Sequence, residues 1–135
     1  MELWALFLSS FLAATILPLA SELPLAVVAR RHGDVFLPVA VATLGNYLGA
    51  CTTYGLARVA TARLAPTSHS APPRALVIFE RYGAPALLLS WVPIIGDAFV
   101  ALAGVSGVRF LPFSMWTLVG KAARYAAVAW LAVHV

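Results

Sequence analysis

Two carboxylates stand inside long apolar runs. Glu22 is the one charge between Leu3 and Ala29, and Asp97 is the one charge between Tyr82 and Val108. They are 75 residues apart, and the same shift matches Pro18-x-x-x-Glu22 to Pro93-x-x-x-Asp97 and Gly45-Asn46 to Gly120-Lys121. A carboxylate in a lipid-facing stretch is expensive, and its presence is by default a sign of function. Two at equivalent places in a duplicated segment predict a transport site at a repeat interface, the acids facing each other across a pseudo-two-fold axis. Such acids, withdrawn from water, suit reversible protonation coupled to movement of a charged substrate. The alternative is that each pairs with a basic residue and only fixes packing.

Candidate basic partners are close at hand. Lys121 and Arg124 lie in the last apolar stretch, three residues apart and so on one face of a helix. They can pair with Asp97 or Glu22, or hold an anionic headgroup. Otherwise the helix tilts and both side chains snorkel to an interface. Lys121 falls about eleven residues past Phe110, roughly half the length of a bilayer-spanning helix, which favours the midplane. Asn46, the repeat counterpart of Lys121, and Tyr54 either face the same site or hydrogen-bond between helices. Pro18, Ser21, Asn46, Tyr54, Ser90, Pro93 and Gly96 are the candidate groove-lining residues. Gly45-x-x-x-Gly49 reads as close helix approach.

Composition decides the class. The 135 residues are 62% hydrophobic and 10% charged, with mean hydropathy +0.93. A soluble domain of this size needs far more polar residues to cover its surface, so the chain reads as an integral membrane protein of one domain. The net charge of +4 comes from scattered basic residues, which fit loops beside anionic headgroups and do not suggest nucleic acid. Cys51 stands alone, so no internal disulfide forms. His32, His69 and His134 lack ligand spacing, and no metal or cofactor is expected. No phosphate loop, nucleophile elbow or zincin motif is present, and the chain is not expected to be an enzyme. The first twenty residues carry Glu2 in place of a positive n-region, which reads as a retained segment.

Four apolar stretches must position these groups: 3–29, 35–57, 82–108 and 110–133. Residues 58–81, with Pro72-Pro73, read as a polar loop with a short amphipathic lead-in. Stretches one and three each reach a proline, then small residues and the acid, then a second apolar run. Proline breaks a helix, and the freed backbone groups need protein or water partners inside a bilayer. These stretches therefore read as re-entrant hairpins. That arrangement moves Arg109 to the side of Arg58, Arg63, Arg74 and Arg81, leaving Arg30 and Arg31 opposite, which agrees with a cytoplasmic excess of positive charge. It also inverts the two copies. The expected fold is an all-α integral membrane protein with two inverted re-entrant helical hairpins packed among transmembrane helices.

Four segments together resemble the DedA family, also described by the VTT or SNARE-associated domain, and most closely its short bacterial YqaA-type branch. They are Leu19-Ala-Ser-Glu22-Leu-Pro24, then Ala42-Thr-Leu-Gly-Asn46-Tyr-Leu-Gly49 with Tyr54-Gly-Leu-Ala-Arg58, then Phe79-Glu-Arg-Tyr-Gly83, and Ser90-Trp-Val-Pro93 through Gly120-Lys-Ala-Ala-Arg124-Tyr125. The resemblance covers nearly the whole chain. It implies one domain over 1–135, with repeats at about 3–57 and 82–133, in a bacterial inner membrane. It also implies proton-coupled movement of a phospholipid or of undecaprenyl phosphate, with Glu22 matching the family's first hairpin acid. The chain departs from the family's Arg-Phe-x-Pro-x-x-Arg pattern, having Ser90 and Gly96 where the arginines would be. Lys121 and Arg124 are then the candidates to supply positive charge. The expected function is a lipid or lipid-carrier translocase of flippase or scramblase type, its partners being membrane lipids, protons and a second copy of the chain. The alternative is a non-transporting scaffold that supports envelope integrity.

Overall fold

The computed structural model describes residues 1–15, 22–64, 77, 79, 81–92 and 95–135. Pro18, Ser21 and Pro93, and with them both proline breaks, lie outside the described residues. Among those described the protein is all-helical: α1 (Glu2–Thr15), α2 (Glu22–His32), α3 (Phe36–Leu64), a 3₁₀ helix (Ala84–Trp91), α4 (Ile95–Ser106) and α5 (Phe110–His134).

The two halves are punctuated alike. Glu22 stands in the first turn of α2 and Asp97 in the first turn of α4, where a negative charge complements the helix dipole. Each short helix ends near a glycine of positive φ, Gly33 at 66° and Gly107 at 76°, the left-handed geometry that stops a helix. Each long helix then starts with a proline in its first turn, Pro38 or Pro112, where no intrahelical donor is lost. Asp34 Oδ1 accepts the Phe36 amide at 3.0 Å in a tight turn just ahead of α3.

Packing follows the same correspondence. Within the halves, α1 lies on α3 and the 3₁₀ helix lies on α5. Between the halves the short helices cross over, α2 to α5 and α4 to α3, while α3 and α5 pack on each other. Two cores form, each drawing residues from both halves, and equivalent positions recur in the two: Ala50 and Tyr125, Tyr54 and Ala129, Val100 and Leu25, Ala103 and Val28. At Ala50/Tyr125 and Tyr54/Ala129 one core places a ring where the other places a methyl, so filled volume is exchanged between the cores. Gly45 and its counterpart Gly120 both mark close approaches inside their halves. A Cβ on Gly45 would sit 2.6 Å from the Phe7 carbonyl oxygen, and one on Gly120 would sit 2.9 Å from Ser90 Oγ.

The structure departs from expectation in three places. Helix α3 runs on to Leu64, so Arg58 and Arg63 belong to its last turns and not to a loop. The second half lacks a counterpart of continuous α1. Gly83 at φ 65° ends the preceding turn, and the chain continues as an eight-residue 3₁₀ helix with Pro85 in its first turn, longer than such helices usually run. Finally, no described helix is long and apolar enough to cross a membrane. α1, α2 and α4 are short. α3 and α5 are roughly 43 and 37 Å long at 1.5 Å per residue, but α3 carries Asn46 and several threonines, and α5 carries Lys121 and Arg124.

Candidate functional site

The polar residues that interrupt α3 and α5 meet where the two helices cross. Lys121 is fully buried, and its ammonium donates to Asn46 Oδ1. These are the two residues matched by the repeat, so the equivalent positions of the halves touch one another. Asn46 in turn donates through Nδ2 to the Ser10 carbonyl at 2.9 Å, tying α1 into the same layer. On the other flank Lys121 Nζ stands 3.4 Å from Asp97 Oδ1 at the start of α4. Glu22, at the start of α2, forms its ion pair with Arg124 one turn further along α5. Both acids therefore meet cations of a single helix. Arg124 is largely covered, at 11% side-chain exposure, while the Glu22 and Asp97 carboxylates keep 26% and 31%. The cations form the inner end of each pair and the acids the outer end.

Of the expected lining residues, Asn46, Tyr54, Ser90 and Gly96 are all buried in helix contacts, so in this structure they pack and do not line an open groove. Asn46 holds the lysine. Gly96 lets the start of α4 lie against the Ser90 backbone, too near for any side chain. Ser90 packs beside Gly120, its hydroxyl buried without a hydrogen-bond partner. Thr43, Ser10 and Thr117 have equally buried and unpaired hydroxyls. Thr117 is a residue that the sequence did not single out. Its position one turn before Lys121 on the same helix face is the signal that could have found it.

The polar interior contrasts with an apolar exterior. Trp4, Leu44, Leu48, Leu111, Met115 and Val119 are exposed on the outer faces of α1, α3 and α5. Buried charge inside and exposed aliphatic surface outside is the distribution expected where the surroundings are lipid.

Relatives agree. The chain is 39% identical over 132 residues to inner membrane protein YqaA of Escherichia coli K12, covering 96% of this chain and 89% of that one. The chain belongs to the YqaA family. The same identity and coverage hold for inner membrane protein YqaA of Shigella flexneri, and an uncharacterized protein of Haemophilus influenzae is 40% identical over 134 residues, 93% of this chain and 84% of its own. No family model matches the chain, and no solved structure does. The YqaA relationship makes this a membrane protein, and of the inner membrane.

Away from the Asn46–Lys121 contact, this YqaA-family chain has a second polar tie. Tyr54 on α3 donates to the Val108 carbonyl in the turn between α4 and α5, and Arg58 NH1 donates to the Tyr54 hydroxyl at 2.6 Å. The Tyr54 ring stacks on Phe113 with centroids 4.3 Å apart. Tyr54→Phe keeps the stack and removes the hydroxyl that links the two groups, leaving the Val108 carbonyl only the longer 3.5 Å contact with Arg58 NH1. It should therefore cost about 1–2 kcal/mol in a detergent unfolding series, and an unchanged midpoint would show the bond to be idle.

Proposed function

We propose that this YqaA-family chain is a translocase that moves a lipid or lipid carrier between the leaflets of the inner membrane. The substrate class is a phospholipid or undecaprenyl phosphate, and movement is coupled to protons through Glu22 and Asp97. The observation that supports the reading most is the charged layer itself: a fully buried lysine and a nearly buried arginine, each facing a part-exposed acid, inside an apolar exterior. Buried ion pairs are weak contributors to stability compared with apolar packing, so their presence asks for another purpose. Membership of the wider DedA group is part of the same reading. So is a multi-pass topology, in which α3 and α5 cross with the polar residues that keep them from being apolar spans turned toward each other, and the α1–α2 and 3₁₀–α4 segments enter as inverted, half-depth hairpins with residues 58–81 on the cytoplasmic side. The apolar exterior leaves room for a second copy of the chain, and the reading assigns no bond-making chemistry to the site.

A scaffold that only organises the envelope is the second reading. What favours it is that each acid is already matched by a cation, as a packing role requires. The two part on one measurement, the movement of headgroup-labelled lipid in proteoliposomes. The translocase reading expects transfer above that of empty liposomes, reduced at least tenfold in Glu22→Gln and in Asp97→Asn. Absence of wild-type transfer for both phospholipid and polyprenyl phosphate would leave the scaffold reading in place.

A further inference from the structure

Resting on the translocase reading, we infer that Asp97 and the phosphate of an incoming lipid compete for the Lys121 ammonium, which makes Lys121 the residue that selects an anionic substrate. Three observations carry this. First, the Lys121–Asp97 contact is loose. Its 3.4 Å separation exceeds the 2.7–2.9 Å of a charge-assisted hydrogen bond by about half an ångström. Second, Asp97 is the exposed end of the pair and Lys121 the sealed end, so an anion arriving from outside meets the carboxylate first. Third, two buried hydroxyls packed around the Lys121 stretch of α5 have no partner among the described residues. Thr117 Oγ1 lies one turn before Lys121, and Ser90 Oγ lies against Gly120 at the next position of the chain. Both residues are at most 1% exposed. An ammonium and unpaired hydroxyls on the same stretch of α5 and its 3₁₀ neighbour supply donors of the kind that suit phosphate oxygens.

Charge conservation makes the exchange one for one. A buried ammonium must keep an anionic partner, since removing it leaves an uncompensated charge. Among the described residues, the neighbouring elements offer no other anion in the layer. The 3₁₀ helix has no charged residue, α3 presents neutral Asn46, and Glu22 of α2 is engaged by Arg124. With the substrate absent, Asp97 serves. With a phosphate in place, the carboxylate turns to its exposed side and the two hydroxyls acquire an acceptor.

The test is equilibrium binding of full-length protein in nanodiscs of phosphatidylcholine with or without phosphatidic acid. Unfolding midpoints of every variant are followed in parallel. Wild type should prefer phosphatidic acid. Asp97→Asn, which removes the competitor, should tighten that binding about fivefold or more, and Lys121→Gln should abolish the preference. Ser90→Ala with Thr117→Val gives a second arm that removes no existing hydrogen bond. It should weaken phosphatidic acid binding about threefold or more while leaving the midpoint unchanged. Displacement by millimolar inorganic phosphate would define the ligand as the oxyanion alone, whereas its failure to compete would make the lipid attachment part of recognition.

Unchanged or weaker binding in folded Asp97→Asn overturns the inference, as does a retained preference in Lys121→Gln or wild-type affinity in the hydroxyl double variant. The translocase reading fails separately. Tightened binding in Asp97→Asn without any lipid transfer by wild type would sink that reading alone, while transfer without anion preference would sink only the competition.

Discussion

Arg124→Leu should destabilise the fold by about 3 kcal/mol or more, and Glu22→Leu placed on top of it should recover most of that loss. The single substitution strands the Glu22 carboxylate at the α2–α5 crossing, where only 26% of its side chain meets the surroundings. The double substitution removes both charges and lets two leucines fill the space against α2, next to the core that contains Leu25, Val28 and Tyr125. Coupling of this kind is read from a double-mutant cycle in a detergent unfolding series. Additive losses would mean that the two side chains contribute independently and that their contact is incidental. Lipid transfer by the stable double variant then asks a separate question. Under the translocase reading it should be lost although the fold survives, because the carboxylate that carries the proton has gone.

Gly49→Leu should separate α1 from α3 and abolish stable folding. A Cβ at this position would already stand 2.7 Å from Ala14 Cβ and press on the Phe11 carbonyl. Neither atom is the end of a flexible side chain, so the helices themselves must move. Overpacking a well-filled contact costs about 1–3 kcal/mol even when the backbone accommodates it, and here the α1–α3 contact also holds the Asn46 bond to the Ser10 carbonyl. Gly55 lies on the same helix with nothing within 4 Å of its Cβ position, so Gly55→Leu is the matched control and should fold. Protein yield and elution as a single species in detergent separate the two. Equal behaviour of both variants would show that helix approach at Gly49 is not required.

The comparison of these glycines shows what the sequence reveals and what it hides. The spacing Gly45-x-x-x-Gly49 pointed to close approach, which both residues make on α1, but nothing in the sequence named α1 as the partner or set Gly55 apart. The repeat was legible because Glu22, Asp97, Asn46 and Lys121 are rare residue types in apolar surroundings. It also led to the layer in which all four are found. The pairing of each acid was not legible. Lys121 and Arg124 were equally open to both carboxylates, and the choice depends on which short helix crosses to which part of α5. The 3₁₀ helix went unread for a related reason. Ala-Pro-Ala-Leu-Leu-Leu-Ser-Trp has the composition of an ordinary helix, and its conformation follows from the Gly83 turn and from packing against α5. The extension of α3 past Ala57 was missed because charged residues on an exposed helical turn resemble a polar loop when only composition is weighed.

The contact between Asn46 and Lys121 has one more consequence, for how far the two halves can resemble each other. On a two-fold axis a residue meets its own counterpart. Two identical halves would set lysine against lysine, like charges in a buried place, or asparagine against asparagine, with no charge for an anion to seek. An amide facing an ammonium is available only to a chain whose halves differ at this position and are joined so that neither can pair with a copy of itself. Covalent linkage of the halves is therefore what allows a single positive charge to sit where matched positions of the two halves meet.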